Sequence, residues 1–525
     1  MAGAVADELR DPRTPPDVEI RSEAREPAPD PALGIPVALA PGGEPRHRLV
    51  AIGDSLTHGF QSGAVFRTDL SYPAIIAHTL GITGRFRHPT YPGHGGLPFN
   101  LEHVIRALEA RHGSRLEWWR LPAAAVSLRR EMDAIEDWWE RGPGTDPGPA
   151  TGIPHNLGIF GWDLRDVLSQ TADGCRRQLG TPVDAALRQV VEHAGERAAI
   201  RVLHAARGPD GRALTPLGAA RALGRDGGIE TLVVMLGANN ALQTVTRLDV
   251  TWSDDGYDDL EAKRRFTVWR PVHFARELEQ VVAQVRAIDA RHVLWATVPH
   301  VTIAPIARGV GGKGRPGSRY FPHYTRPWIA DADFDPAQDP HVTAAQARAV
   351  DAAIDQYNTA ITAAVAAARR DGRDWWLVEL CGILDRLASR RYVQDPAARP
   401  DWWTPYPLPP ELAALDPPPD TRMLLAGASG RAQGGIFSLD GVHPTTVAYG
   451  VIAQELVDVM ARAGVAFPGR PGGAGHGPVR VDLARLVERD ALIGDPPASV
   501  RPGLALLGWL DEQADVFARL LHRRP

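Results

Sequence analysis

A serine hydroxyl attacks a carbonyl carbon only when a base takes its proton, and that base works best as an imidazole held in one tautomer by a carboxylate. The sequence holds one serine, one histidine and one aspartate in suitable settings. Ser55 follows the apolar run Leu49–Ile52 and opens a predicted helix, so its backbone N–H would sit at a helix N-terminus, where free donors favour negative charge. Asp440 and His443 lie three residues apart in Leu439-Asp440-Gly441-Val442-His443-Pro444. On a tight turn that spacing folds the carboxylate back onto the imidazole. Gly441 permits the turn and Pro444 restricts the backbone before it. Two further residues could stabilise an oxyanion: Asn239 through its side-chain amide, and Gly161 through a backbone N–H left accessible by the missing Cβ. Each of these residues, read alone, also fits an ordinary structural role: a helix cap, an exposed turn histidine, a turn asparagine, a loop glycine.

The elements that would position them follow from apolar patterning. Buried strands are expected at 49–52, 151–165, 231–240, 292–300 and 375–380, and helices at 72–80, 181–206, 273–289, 342–370 and 446–463. Strands alternating with helices imply an α/β fold with a mainly parallel sheet. In such sheets chemistry sits beyond the carboxyl ends of the strands, where Ser55, Gly161 and Asn239 all fall. Residues 1–46 lack periodicity and read as a disordered leader, and 47–465 as one domain. Irregular stretches near 84–150, 308–340 and 394–434 read as insertions that cap or frame a pocket. Trp118, Trp119, Trp138 and Trp139 in the first are expected to pack a subdomain. Residues 466–478 read as a Gly/Pro linker and 479–525 as a helical extension.

Four blocks in this order resemble the GDSL (SGNH) hydrolase family. They are Gly53-Asp54-Ser55-Leu56, Asn156 to Gly161, Gly237-Ala238-Asn239-Asn240 and Asp440 to Pro444. The resemblance spans about 48–463, and its specific part is some twenty residues. It implies a three-layer α/β/α sandwich of flavodoxin-like type and hydrolysis of carboxylic esters through Ser55, Asp440 and His443. It also implies an oxyanion hole from Ser55, Gly161 and Asn239, with no cofactor and no metal. Asn240 stands where the family usually has Asp, which should alter the local network more than activity. Asp54 is assigned a turn and helix-start role, and His58 and His300 are secondary candidates for lining the pocket. The alternatives are a catalytically silent binding or scaffold protein on the same fold, or cleavage of thioesters or of sugar O-acetyl groups.

Composition narrows the rest. Hydrophobic residues make up 44% and charged residues 23% of 525, a balance that can bury a core without disulfides or structural metal. Cys175 and Cys381 could form at most one bridge, and two buried thiols are expected. The net charge of −5 points neither to nucleic acid nor to an anionic membrane. The N-terminal stretch has no apolar signal-type core and no segment has eighteen uninterrupted apolar residues, so a cytoplasmic protein without an integral membrane segment is expected, acting on a small-molecule or acylated substrate. The run at 309–314 formally matches G-x-G-x-x-G, but a Pro/Gly loop follows it rather than a helix, which argues against dinucleotide binding. Oligomeric state is not readable from the sequence.

Overall fold

The computed structural model describes residues 9–37, 45–113, 121–180, 191–467 and 478–500. Its centre is a five-stranded sheet of β1 (His47–Gly53), β2 (Asn156–Gly158), β3 (Ile229–Met235), β4 (Ala290–Ala296) and β5 (Trp375–Val378). All neighbouring pairs are parallel, in spatial order β2-β1-β3-β4-β5. The order reverses at β1, which lies between β2 and β3, and such a switch point opens a crevice at the carboxyl ends of the strands.

Strand side chains alternate between two apolar clusters. Val50, Ile52, Leu232, Val234 and Trp295 point into one, where the helices Pro216–Arg225, Pro271–Arg286 and Ala344–Arg370 pack. Leu49, Ala51, Val233, Met235 and Leu294 point into the other, against Tyr72–Thr79 and Thr446–Arg462. Helices therefore flank both faces, an arrangement compatible with a three-layer sandwich. A parallel strand covered on both faces is apolar along most of its length, which is why the central strands read as apolar runs, with polar residues such as Arg48, Glu230 and His292 near their beginnings.

Three expectations change. Residues 9–37, read as part of a disordered leader, lie as a strap against the domain. Arg25 pairs with Glu379 at 2.5 Å, Asp17 with Arg270 at 2.8 Å, and Val18 is buried. A strap held by individual ion pairs needs no periodicity, so composition hides it. The strand at 151–165 shrinks to three residues, because β2 is an edge strand that the chain soon leaves for a turn. The insertions carry their own structure. The first contains helices Leu101–His112 and Leu121–Glu140, and the last a short hairpin of Leu425–Gly427 with Gly430–Gln433. Trp139 is buried and donates from Nε1 to the Gly96 carbonyl at 2.8 Å, as a packing residue should. Trp118, Trp119, residues 181–190, most of the linker and the segment near 503–523 lie outside the described residues. Cys175 and Cys381 are buried and unbridged. Among the described residues, no helix is long and apolar enough to cross a membrane.

Candidate active site

The register of the sheet brings the candidate residues together. Gly53 at the end of β1 pairs with Gly158 of β2 on one side and Met235 of β3 on the other, so the turns carrying Ser55, Gly161 and Asn239 leave adjacent strand ends. The helical turn Ser55–His58 follows β1 directly. It lies so close to the sheet that a Cβ on Gly53 would fall 1.9 Å from Thr57 Oγ1, and one on Gly158 would fall 2.4 Å from the His58 nitrogen. Only glycine fits either position.

His443, with Asp440 on the same turn, reaches Ser55 from 388 residues away in sequence. The Asp440 turn is held by Gly441 at φ +65°, a left-handed conformation that an L side chain strains to adopt. Ser55 Oγ lies 2.9 Å from His443 Nε2, and His443 Nδ1 lies 2.9 Å from Asp440 Oδ2. Both ring nitrogens are thus committed, Nδ1 as donor to the carboxylate and Nε2 as acceptor from the hydroxyl. The His443 ring also packs on Phe60, with centroids 4.4 Å apart.

Asp440 is itself tightly held. Its Oδ1 accepts the backbone N–H groups of Val442 and His443 and the Ser438 hydroxyl, and its Oδ2 accepts the N–H of Gly63 at 2.9 Å. Burial alone would raise this carboxyl, but the facing His443 and the backbone donors outweigh it and keep it below its ordinary value. The carboxylate is therefore charged in the resting site. Sequence reasoning missed both Ser438 and Gly63. Ser438 stands only two residues from Asp440, a spacing at which serine often bonds locally, whereas Gly63 has no local signal.

The turns that carry Gly161 and Asn239 lie side by side. Gly161 has nothing within 4 Å of the point a Cβ would occupy, so its turn is open on that side. Asn239 Nδ2 donates one hydrogen to the Trp162 carbonyl at 2.9 Å, which ties the two turns together and leaves the second amide hydrogen for another acceptor. The chain after Gly161 is anchored by a buried ion cluster, in which Lys263 Nζ lies 2.5 Å from Asp163 and 2.9 Å from Asp166. Asn240 is fully buried, and its side-chain nitrogen and oxygen have no partner among the described residues. An amide in that state costs about 1–3 kcal/mol.

Asp54, His58 and His300 resolve into different roles. Asp54 caps the helical turn, accepting from the Leu56 N–H at 3.0 Å, and burial pushes its carboxyl up to about 6. His58 accepts the Phe160 N–H at Nδ1 (3.2 Å) and lies 2.7 Å from the Tyr91 hydroxyl at Nε2. Burial lowers its pKa to about 3, so it is a neutral ring that braces the turn leading to Gly161. His300 lines the pocket beside Ser55, but its nitrogens are occupied by Asp385 at 3.0 Å and Asp355 at 3.1 Å. Burial would lower its pKa, and the surrounding acids, Asp385 first, raise it well above the ordinary value, which makes it an imidazolium between two carboxylates. His300, Cys381 and Asp385 are the donors among the described residues close enough to share a metal ion. As they stand they form an internally paired cluster, with the thiol pushed up to about 11 by burial.

The Asp54 value carries a stability prediction. Its folded pKa lies above the unfolded value of about 3.9, so the folded state binds the extra proton and stability falls as pH rises through roughly 4 to 6. Asparagine caps a helix as well as aspartate does and cannot ionise. Asp54→Asn should therefore gain about 2–3 kcal/mol relative to wild type at pH 8 while matching it near pH 4, read by urea unfolding. Parallel profiles for the two proteins would show that Asp54 does not titrate in that window.

Beside Ser55 and His443 opens a cavity of about 110 Å³. Its walls are largely aliphatic, including Leu242, Val301, Ile383, Leu387, Val442 and Val451. Among the described residues, none of the three irregular stretches expected to frame it contributes to this lining. The stretches at 308–340 and 394–434 instead wall a separate cavity behind it, while Tyr91 and Trp139 of the first pack around His58 and Arg201. Comparison of the chain with protein-family models, with curated proteins and with solved structures finds no match.

Proposed function

We propose that this chain is a serine hydrolase that cleaves carboxylic esters through an acyl-enzyme on Ser55. The observation that carries the reading is the unbroken hydrogen-bond chain from Ser55 Oγ through His443 to Asp440, at 2.9 Å and 2.9 Å. The resemblance of four ordered blocks to GDSL (SGNH) hydrolases supports it. So does the sheet order, which agrees with the flavodoxin-like α/β/α sandwich that the resemblance implies.

In this mechanism His443 Nε2 takes the hydroxyl proton as Oγ attacks the ester carbon. Asp440 keeps Nδ1 protonated and stabilises the imidazolium. The N–H groups of Ser55 and Gly161 and the free amide hydrogen of Asn239 receive the oxyanion. His443 then protonates the departing alcohol. It next takes a proton from water, which attacks the acyl-enzyme and releases the carboxylic acid and free Ser55. The aliphatic cavity receives a hydrocarbon part of the ester. Such walls would leave the hydroxyls of an acetylated sugar without partners, and matched ester, thioester and acetyl-sugar substrates would order the three. The intact relay weighs against a silent scaffold.

The test is covalent. A fluorophosphonate probe should add to the protein once, on Ser55, and mass spectrometry of the digested adduct locates it. Absence of labelling on a folded protein would refute an activated serine. Asn239→Ala should lower kcat on a p-nitrophenyl ester by roughly 10²–10³, the usual loss for one oxyanion donor. An unchanged kcat would confine Asn239 to its bond with Trp162.

A further inference from the structure

A second cavity, of about 240 Å³, lies between the loop at 302–309, the turn Ser389–Val393 and the segment 421–423. Among the described residues, five arginines line it (Arg308, Arg319, Arg390, Arg391 and Arg422), and no aspartate or glutamate does. Three of the five have a carboxylate elsewhere: Arg308 pairs with Asp331, Arg391 with Asp351 at 2.9 Å and Arg422 with Asp420 at 2.7 Å. Arg390 and Arg319 have none within ion-pair distance among the described residues. Arg390 donates one N–H to the Gly309 carbonyl at 2.8 Å and stacks over Phe321 at 4.5 Å. These contacts fix the guanidinium and leave the rest of its fork without an acceptor among the described residues. Arg319 reaches the carbonyls of Ser22 and Glu23, at 3.4 Å, the ring of Tyr320 and the hydroxyl of Tyr392, none of them a carboxylate.

We infer that this cavity is a binding site for a phosphate group, free or borne on a small monoester. Positive charge gathered in a partly enclosed cavity draws anions, and guanidinium forks match the oxygen geometry of phosphate. The charge balance selects among anions. Two cations lack a directly paired carboxylate among the described residues, and a phosphate monoester carries about −1.5 to −2 at pH 7, whereas a single carboxylate would pair with only one of them. Burial and then the neighbouring Arg308 push the Arg390 guanidinium down from its ordinary range, as expected of a cation crowded by like charge.

The site is back to back with the aliphatic cavity. Val301 and Ala304 face Ser55, whereas Ile303 and Ala307 on the same loop face the arginines. The Ile306 N–H in between donates to the Gly441 carbonyl of the Asp440–His443 turn at 3.1 Å. An occupant would therefore brace the loop that this turn rests on. The inference does not depend on ester hydrolysis.

Calorimetric titration of the full chain tests it, with inorganic phosphate in one arm and glycerol 3-phosphate in the other, at ionic strength matched with sodium chloride. One equivalent should bind in at least one arm. Equal affinity for the two would mark a free-anion site, and a tighter monoester a phosphorylated ligand. Arg390→Gln should weaken binding at least tenfold while its melting temperature in chloride stays near wild type. Arg319→Gln gives a second reading should the first variant not fold. No binding by wild type above the chloride background, or unchanged affinity in a folded variant, would overturn the site.

Discussion

Ser55→Ala and His443→Ala should each lower kcat for ester hydrolysis by roughly 10⁶, and the double variant should lose no more than either single one. The reason is geometric. At 2.9 Å from His443 Nε2, the Ser55 hydroxyl is placed to give its proton to the imidazole, and the imidazole to activate that hydroxyl. Each residue is useless without the other, so their losses do not add. The residual rate should come from the oxyanion donors alone, which sit on separate turns and survive both changes. The melting temperature of Ser55→Ala should barely move, because alanine there keeps the helical turn that Asp54 caps, whereas His443→Ala also deprives the buried Asp440 carboxylate of its partner. Additive losses would mean that Ser55 and His443 act independently, and the acyl-enzyme reading would fall. The phosphate site would be untouched by that failure, since its test reads binding.

How much of this was visible in the sequence depended on burial and on distance. β1, β3, β4 and β5 lie in a sheet covered on both faces, so their apolar runs had no competing explanation. β2 is an edge strand of three residues and gives almost no pattern. The Asp440–His443 pair was readable because its geometry is made within four residues and one glycine. The link to Ser55 was not readable from spacing, because a parallel sheet places distant chain ends side by side. It came from the order of the blocks. The His300 cluster was hidden for the same reason, its carboxylates lying 85 and 55 residues away. The irregular stretches misled in another way. A Pro-rich or Gly-rich segment shows that the chain is not a regular element, but not which cavity it walls. Those at 308–340 and 394–434 carry the arginine cavity instead of the aliphatic one. The strap at 9–37 is held by ion pairs such as Arg25 with Glu379, a specificity that composition averages away.

Asp440→Asn separates charge from shape and should lower kcat by roughly 10⁴. Aspartate at this position accepts at both oxygens: Oδ1 takes two backbone N–H groups and a hydroxyl, and Oδ2 takes the Gly63 N–H and the His443 Nδ1–H. Asparagine has a single oxygen. If its oxygen keeps the Oδ1 place, the amide nitrogen must face two donors. His443 can relieve one of these clashes by moving its proton from Nδ1 to Nε2. That tautomer offers Ser55 a donor where an acceptor is required, so the hydroxyl is no longer activated. The Gly63 N–H cannot adapt and is left buried without an acceptor, which should also cost about 1–3 kcal/mol in stability. The expected signature is therefore double, a collapse of kcat with KM little changed and a lower urea midpoint. A variant that kept full stability but lost activity would place the Gly63 contact outside the folding balance. One that kept activity would show that the carboxylate is not needed to hold the tautomer, and the His443 ring would then have to be oriented by its packing on Phe60.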